Sequence, residues 1–116
     1  MLMDIIKARH SIRKYTDKQN SRADMELILE AANYAPNADA FCCAENMVLQ
    51  ATELGISSCI ISRGAETFAS DGGRALMKEW GVPENYSAVC FVILGYIDGE
   101  PPHRKPRREN RIKIIE

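Results

Sequence analysis

Residues 37–55 read NADAFCCAENMVLQATELG and predict the longest helix of the chain. Asn37 or Asp39 can cap the first helical N–H groups, and Gly55 suits the position that follows the last turn. Apolar residues occupy one main face and also positions outside it, so this helix needs cover on most of its sides. That cover must come from the rest of the chain or from a partner chain. The main face contains Phe41, Ala44, Val48 and Ala51.

Three further helices are predicted around this segment. One fits residues 2–8, and another begins after Ser21 and stops before Pro36. The third follows a break at Gly72–Gly73. The polar residues 9–18 are predicted to be a connection between the first two helices.

Only two strands are clear from the sequence. SSCIIS (57–62) is a short candidate, and SAVCFVILGY (87–96) is almost continuously apolar, which predicts a central strand buried on both faces. Two strands make an incomplete sheet. Either the apolar segment RIKIIE (111–116) adds an edge strand, or a second subunit completes the sheet.

The composition is that of one globular domain spanning residues 1–116, with residues 99–116 as an extended C-terminal arm. The chain is 46% hydrophobic and 27% charged, and its formal net charge of −1 gives no overall field toward nucleic acid or a membrane. Residues 100–116 nevertheless carry six Lys/Arg against three Glu, whereas the preceding residues carry nine Lys/Arg against thirteen Asp/Glu. A basic arm therefore follows an acidic body.

The cysteines indicate reduced thiols in a cytoplasmic protein. Cys42 and Cys43 are adjacent, which suits neither a CxxC redox pair nor a zinc site, while Cys59 and Cys90 lie in apolar runs. No signal-peptide core is visible, and the longest apolar run is too short to cross a bilayer as a helix.

Three polar stretches could carry chemistry. Two of them are basic: KARHSIRKYTDK (7–18) and HRKPRR (103–108). They are either solvated surface segments or two halves of one phosphate site. RNA binding is a further interpretation of residues 103–108. GISSCIISRGAE (55–66) is either a plain turn and loop or a strand end that receives a flat ligand. The two histidines lack metal-ligand spacing, and no catalytic Ser, Cys or carboxylate pairing is visible. An enzyme of this kind needs a cofactor to supply its chemistry.

Four segments in order resemble the nitroreductase family of FMN-dependent oxidoreductases. They are IIKARHSIRKYTDK (5–18), LILEAANYAPNA (27–38), DAFCCAENMVLQATELGISSCIIS (39–62) and LMKEWGVPENYSAVCFVILGYIDGEPPHRKPRRE (76–109). The resemblance implies an α+β fold in which helices pack a reduced sheet, with a long central helix and an intertwined homodimer that binds FMN at its interface. It implies electron transfer from NADH or NADPH through flavin to a nitroaromatic, quinone or similar small-molecule acceptor. No metal, nucleic acid or membrane partner is implied.

The resemblance also implies the cofactor-binding residues. One group holds the phosphate, the ribityl chain and the pyrimidine edge: Arg9, His10, Ser11 and Arg13. Lys105 and Arg107 close on the phosphate, with Arg104 as a further candidate because the register there is open. Pro36 and Asn37 of the partner chain lie near the flavin ring, and Ile61, Ser62 and Arg63 place backbone groups beside its N5. No side chain is required as a catalytic base.

Two departures from the family pattern stand out. After APNA (35–38) the family normally continues with several tens of residues that are missing here, including strands and a ring-contacting Asn. Arg63 replaces a small residue or an acid. A non-catalytic flavin-binding or interaction module is therefore the alternative to an active oxidoreductase.

Overall fold

A computed structural model describes residues 1–36 and 39–116. In the described residues, helices surround a small antiparallel sheet, which makes an α+β fold. In chain order the elements are α1 (Leu2–Ala8), α2 (Arg22–Asn33), α3 (Ala40–Glu53), β1 (Ser57–Ile61), α4 (Gly64–Ala69), α5 (Asp71–Glu79) and β2 (Phe91–Gly95).

The helix predicted in residues 37–55 is observed as α3. The carboxylate of Asp39 accepts hydrogen bonds from the N–H groups of Phe41 at 2.9 Å and Cys42 at 3.3 Å, so Asp39 is the N-cap. Asn37, the other candidate cap, lies outside the described residues. The helix ends at Glu53 with Leu54 as its C-cap, and Gly55 follows with a φ of 75°, a left-handed conformation that favours glycine.

Helix α3 packs against α1, α2 and both strands. The core cluster combines Ile28 of α2, Ala51 of α3 and Ile56 just before β1, each at most 2% exposed. Partly buried residues surround this cluster: Met47, Leu54, Leu94 and Tyr96. The packing therefore joins α2 and α3 to the sheet, as the apolar spacing of both helices predicts.

The predicted helices at residues 2–8 and after Ser21 are confirmed as α1 and α2. The hydroxyl of Ser21 accepts a 3.1 Å hydrogen bond from the N–H of Asp24, which is half of a capping box. Helix α2 ends at Asn33, three residues before Pro36.

The sheet pairs β1 with β2 in antiparallel register, from Ser57 opposite Gly95 to Ile61 opposite Phe91. Part of residues 9–18 also runs along this sheet. The N–H of Ile12 donates to the carbonyl of Ser58 at 2.9 Å, and the N–H of Thr16 donates to the carbonyl of Tyr96 at 2.8 Å. The predicted connection is thus extended and partly paired.

The prediction of a central strand buried on both faces is wrong for the described residues. Only Phe91–Gly95 form a strand, and Ile93 is 38% exposed. RIKIIE does not complete the sheet within the chain, because residues 111–116 form no strand and Ile112 is 88% exposed. An apolar run indicates burial only where other segments supply cover, and within the described residues β1 is the one strand that pairs with β2.

Helix α4 is absent from the sequence prediction, which treats residues 63–66 as a loop. The Gly72–Gly73 pair is not a break, because both residues lie in the first turn of α5. A Cβ on Gly73 would collide with the backbone of Thr67 and Phe68, so glycine here permits the close approach of α4. A requirement for a small residue at a helix contact was therefore misread as a helix boundary.

All four cysteines are free thiols. Over the part of the chain that the structure describes, no helix combines the length and apolar character needed to cross a membrane.

Candidate cofactor site

The segment that follows α1 brings several predicted site residues to the start of β1. Arg9 is the C-cap of α1 and turns the chain into an extended conformation. Ser11 then forms a parallel bridge with Ser58 of β1. The helix cap at Arg9 and the bridge at Ser11 therefore fix residues 9–12 against the sheet.

Tyr15 holds the other end of this segment. The hydroxyl of Tyr15 donates a 2.6 Å hydrogen bond to the carbonyl of Ile12. The backbone of Tyr15 forms an antiparallel bridge with Ile97, beyond β2. Burial raises the pKa of the Tyr15 phenol, with a further rise from Cys59 and an opposing effect from Arg13. Tyr15 therefore stays a protonated donor at neutral pH. The sequence analysis missed this role, for which the only signal is an aromatic residue in an otherwise polar stretch.

Arg104 connects the C-terminal arm to the same segment. Its Nη2 donates to the carbonyl of Arg9 at 2.9 Å and lies 3.5 Å from Nε2 of His10. The Nε of Arg9 lies 3.9 Å from Oε1 of Glu45 on α3, so the Arg9 guanidinium has a carboxylate partner of its own. The Arg104 guanidinium thus meets the His10 imidazole beside the backbone of Arg9, and within the described residues Glu45 is the one acid that forms an ion pair with any of these three residues.

His10 is held toward its neutral form. Burial lowers the pKa of the imidazole, and the positive charges of Arg104 and Arg9 lower it further. An unprotonated Nε2 can accept a hydrogen bond from the Arg104 guanidinium. Since an anion would offset the same repulsion, the arrangement favours a negatively charged ligand.

Two clefts flank residues 10–13. One, of about 190 Å³, is lined by His10, Ser57, Ser58 and Pro101 among others. The other, of about 270 Å³, is lined by Ser11, Arg13, Lys14 and Asp98 among others. Arg13 therefore faces a different cleft from His10.

Ser58 contributes an unsatisfied polar group at this end of the sheet. Its side chain is 1% exposed, and its Oγ has no hydrogen-bond partner in the structure. Buried hydroxyls are normally paired with protein, water or ligand.

Ile61, Ser62 and Arg63 lie at the opposite end of β1. Ile61 lies three positions beyond Ser58, about 10 Å at the usual rise of an extended strand. The carbonyl of Arg63 accepts from both the N–H and the hydroxyl of Thr67 at 3.1 Å, which fixes the start of α4. No side chain caps this helix.

The structure does not join the remaining candidates to this cluster. Pro36 is exposed beyond the end of α2, and Asn37 lies outside the described residues. Lys105 and Arg107 are exposed and form no recorded hydrogen bond or ion pair within the described ranges. Of the three arm candidates, Arg104 makes the contact.

The family model described as "Nitroreductase family" matches residues 6–39 and 37–96. The chain belongs to the nitroreductase family. The match is divided in two, and its parts meet at the junction where the missing segment is expected. No curated protein gives a significant match.

Solved nitroreductases share the fold. A nitroreductase with bound FMN from Bacteroides fragilis NCTC 9343 is 26% identical, with a TM-score of 0.89 over 99% of this chain and 98% of that chain. A nitroreductase with bound FMN from Desulfitobacterium hafniense DCB-2 is 19% identical, with a TM-score of 0.85 over the same shares. An FMN-dependent nitroreductase from Clostridium difficile R20291 is 23% identical, with a TM-score of 0.73 over 95% of this chain and 94% of that chain.

Proposed function

We propose that this nitroreductase-family chain is an FMN-dependent oxidoreductase. It passes electrons from NADH or NADPH through the flavin to a nitroaromatic, quinone or similar acceptor. The observation that carries the proposal is the contact of Arg104 with the Arg9 carbonyl and with His10 at one end of β1, in a chain whose structural relatives include FMN-bound nitroreductases. Residues 1–116 act as one domain, with residues 99–116 as its arm.

The donor set at the start of β1 suits a phosphate. Guanidinium groups offer several N–H donors in a planar arrangement that matches phosphate oxygens. Arg104 supplies one such group beside His10, and Arg9 supplies another that would have to leave or share Glu45. Ser11 adds a hydroxyl from the neighbouring cleft. Ser58 Oγ, which has no partner, is a further donor for a ligand or a water beneath it. These residues would hold the phosphate and the ribityl chain.

The other end of β1 suits the flavin ring. Ile61 is half-buried, Ser62 is exposed, and the first N–H groups of α4 have no side-chain cap. Backbone donors without intramolecular partners can bind ring carbonyl oxygens or N5. Arg63 would place a positive charge beside the ring, where charge changes the electronic properties of a flavin.

When bound, FMN supplies the redox chemistry by accepting a hydride equivalent and giving up electrons to the acceptor. This chain supplies binding and orientation. The backbone of β1 would set the position of the flavin ring. Positive charge would come from five side chains: Arg9, Arg13, Arg104, Lys105 and Arg107.

A homodimer is part of the proposal. Helices α1, α2 and α3 border a groove of about 430 Å³, which is lined by apolar residues that include Leu2, Ile5 and Leu49 and by the polar residues Asn46, Gln50 and Glu53. Leu29 and Phe41 are about half exposed on neighbouring helices. Exposed apolar surface of this extent favours association, and a partner chain could bring Pro36 and Asn37 to the ring.

The decisive experiment is an absorbance spectrum of the purified protein before and after addition of FMN, followed by anaerobic addition of NADH or NADPH. The proposal predicts a bound-flavin spectrum that bleaches with the pyridine nucleotide and recovers with an acceptor. A protein that stays colourless after FMN addition contradicts the proposal. The half-exposed β2 and the missing segment favour the non-catalytic module as the second candidate, for which the signature is flavin binding without bleaching.

A further inference from the structure

Residues 99–116 are exposed throughout and contain no helix or strand. Glu100, Pro101 and Pro102 line the two clefts beside residues 10–13. Within the described ranges, Arg104 makes the polar side-chain contacts between residues 99–116 and the rest of the chain: a 2.9 Å hydrogen bond to the carbonyl of Arg9 and a 3.5 Å contact with Nε2 of His10, which accepts in the tautomer that carries its proton on Nδ1. The arm therefore depends on one side chain for its polar attachment.

The two acceptors of Arg104 respond differently to protons. The carbonyl of Arg9 accepts a hydrogen bond at any pH. The imidazole Nε2 of His10 accepts only while it is unprotonated, and once protonated it becomes a donor on a cation. Arginine keeps its charge throughout the accessible pH range. Protonation of His10 would thus replace an attractive contact with repulsion between two cations.

The surroundings of His10 offer little to offset that repulsion. Arg9 adds positive charge from its own segment, and Arg104 adds it from the arm. The remaining polar neighbours in the cleft are the hydroxyls of Thr52, Ser57 and Ser58. Glu45 on α3 lies 3.9 Å from Arg9 Nε and balances that arginine.

We propose that residues 99–116 form a proton-sensitive strap, which docks through Arg104 while His10 is neutral and detaches when His10 is protonated. The pKa of His10 is lowered by burial and by Arg104 and Arg9. A group whose pKa is lower in the docked state favours docking at high pH, and that preference is lost as pH falls below the ordinary histidine value of about 6.5. Acidification therefore releases the strap.

A bound dianion prevents the release of the strap at low pH. An anion between His10 and Arg104 attracts both groups, so the strap remains docked when His10 is protonated. If the anion is the FMN phosphate, the strap regulates retention of the cofactor, and this part of the proposal rests on the proposed function. The docking step itself needs no flavin and can be tested without it.

The test is the {¹H}–¹⁵N nuclear Overhauser effect of backbone amides at residues 103–108, measured on the full chain at pH 7.5 and pH 5.2. Sodium sulfate is the probe, because sulfate remains a dianion at both values, and sodium chloride of equal ionic strength is its control. We expect rigid amides at pH 7.5, mobile amides at pH 5.2 in chloride, and restored rigidity at pH 5.2 in sulfate. Amides that keep the same mobility at both pH values in chloride would overturn the proposal.

Three variants sharpen the result. His10→Asn should abolish the pH dependence, and Arg104→Gln should leave the strap mobile at both pH values and raise the pKa of His10 in an NMR titration. Arg108→Gln removes an equal charge from the arm and should behave as the wild type. A His10→Asn strap that still loosens on acidification, or an Arg104→Gln strap that stays rigid at pH 7.5, contradicts the mechanism. If the protein does not bind FMN but residues 103–108 still show this dependence on pH and sulfate, the proposed function is contradicted and the proton-sensitive strap is supported.

Discussion

The ring of Tyr15 lies directly against the backbone of Gly95 in β2. A Cβ atom built on Gly95 would come within 2.7 Å of Cδ1 of Tyr15, closer than side-chain atoms normally approach. Gly95 is buried, and its backbone pairs with Ser57 in the sheet. The absence of a side chain at residue 95 therefore lets the 11–16 segment lie flat against the sheet.

Gly95→Ala should destabilise the protein by about 1–3 kcal/mol, the usual cost of overpacking a closely fitted site. The added methyl group must displace the Tyr15 ring and with it the hydrogen bond to the carbonyl of Ile12. Urea denaturation measures the loss. The same substitution in a Tyr15→Leu background should cost less, since the clashing ring edge is gone, and an equal cost in both backgrounds would argue against this contact.

Neighbouring glycines in α5 provide a matched comparison. Gly73→Ala should destabilise the protein, because its Cβ would collide with the backbone of Thr67 and Phe68, which cannot move as a side chain can. Gly72→Ala should be neutral or stabilising by up to about 1 kcal/mol, since nothing lies within 4 Å of its Cβ and alanine favours the helix. Thermal unfolding of both variants checks the contrast, and equal effects would contradict the described packing of α4 on α5.

Loss of positive charge at the start of β1 should weaken FMN binding more than riboflavin binding. Arg9→Gln and Arg104→Gln should each raise the Kd for FMN about tenfold or more, since a charge-assisted hydrogen bond contributes about 1.5–3 kcal/mol. Riboflavin lacks the phosphate and should be nearly unaffected. Fluorescence titration of both ligands is the measurement, with Arg108→Gln as the control. Equal losses for the two ligands would place these arginines away from the phosphate.

Cys90 should react slowly with iodoacetamide. Burial raises the pKa of its thiol, and nearby Cys43 raises it further. Because the thiolate is the nucleophile, the pH profile of its alkylation should lie above that of free cysteine. Peptide mass spectrometry of protein labelled between pH 7 and 10 gives the profile. A profile at or below that of free cysteine would be inconsistent with the position of Cys90 in the fold.

Local signals in the sequence were enough to predict much of the secondary structure. Asp39 and Gly55 bound α3, and Ser21 begins α2, because caps act within one helical turn. The same local reading failed at Gly73, where glycine is required by a contact with α4 rather than by the end of a helix. It also failed for residues 87–96, because burial of a strand depends on neighbours that the apolar run does not encode.

The candidate site was predictable only in part for the same reason. The charge pattern indicates that residues 9–13 and 103–108 could share an anion, yet it does not distinguish Arg104 from Lys105 or Arg107. That choice depends on the path of an extended arm over the body of the fold. Arg13 shows that closeness in sequence is also insufficient, because Arg13 lies three positions after His10 and lines a different cleft.

The pairing of residues 12–16 with residues far along the chain has a consequence for synthesis. Ile12 binds β1 at Ser58, but Thr16 and Lys14 find their partners only at Tyr96 and Asp98. A growing chain therefore holds its first extended segment without its full set of hydrogen bonds until residue 98 has left the ribosome. Contacts of such long sequence separation slow folding, so residues 12–16 should acquire their native hydrogen bonds late in folding.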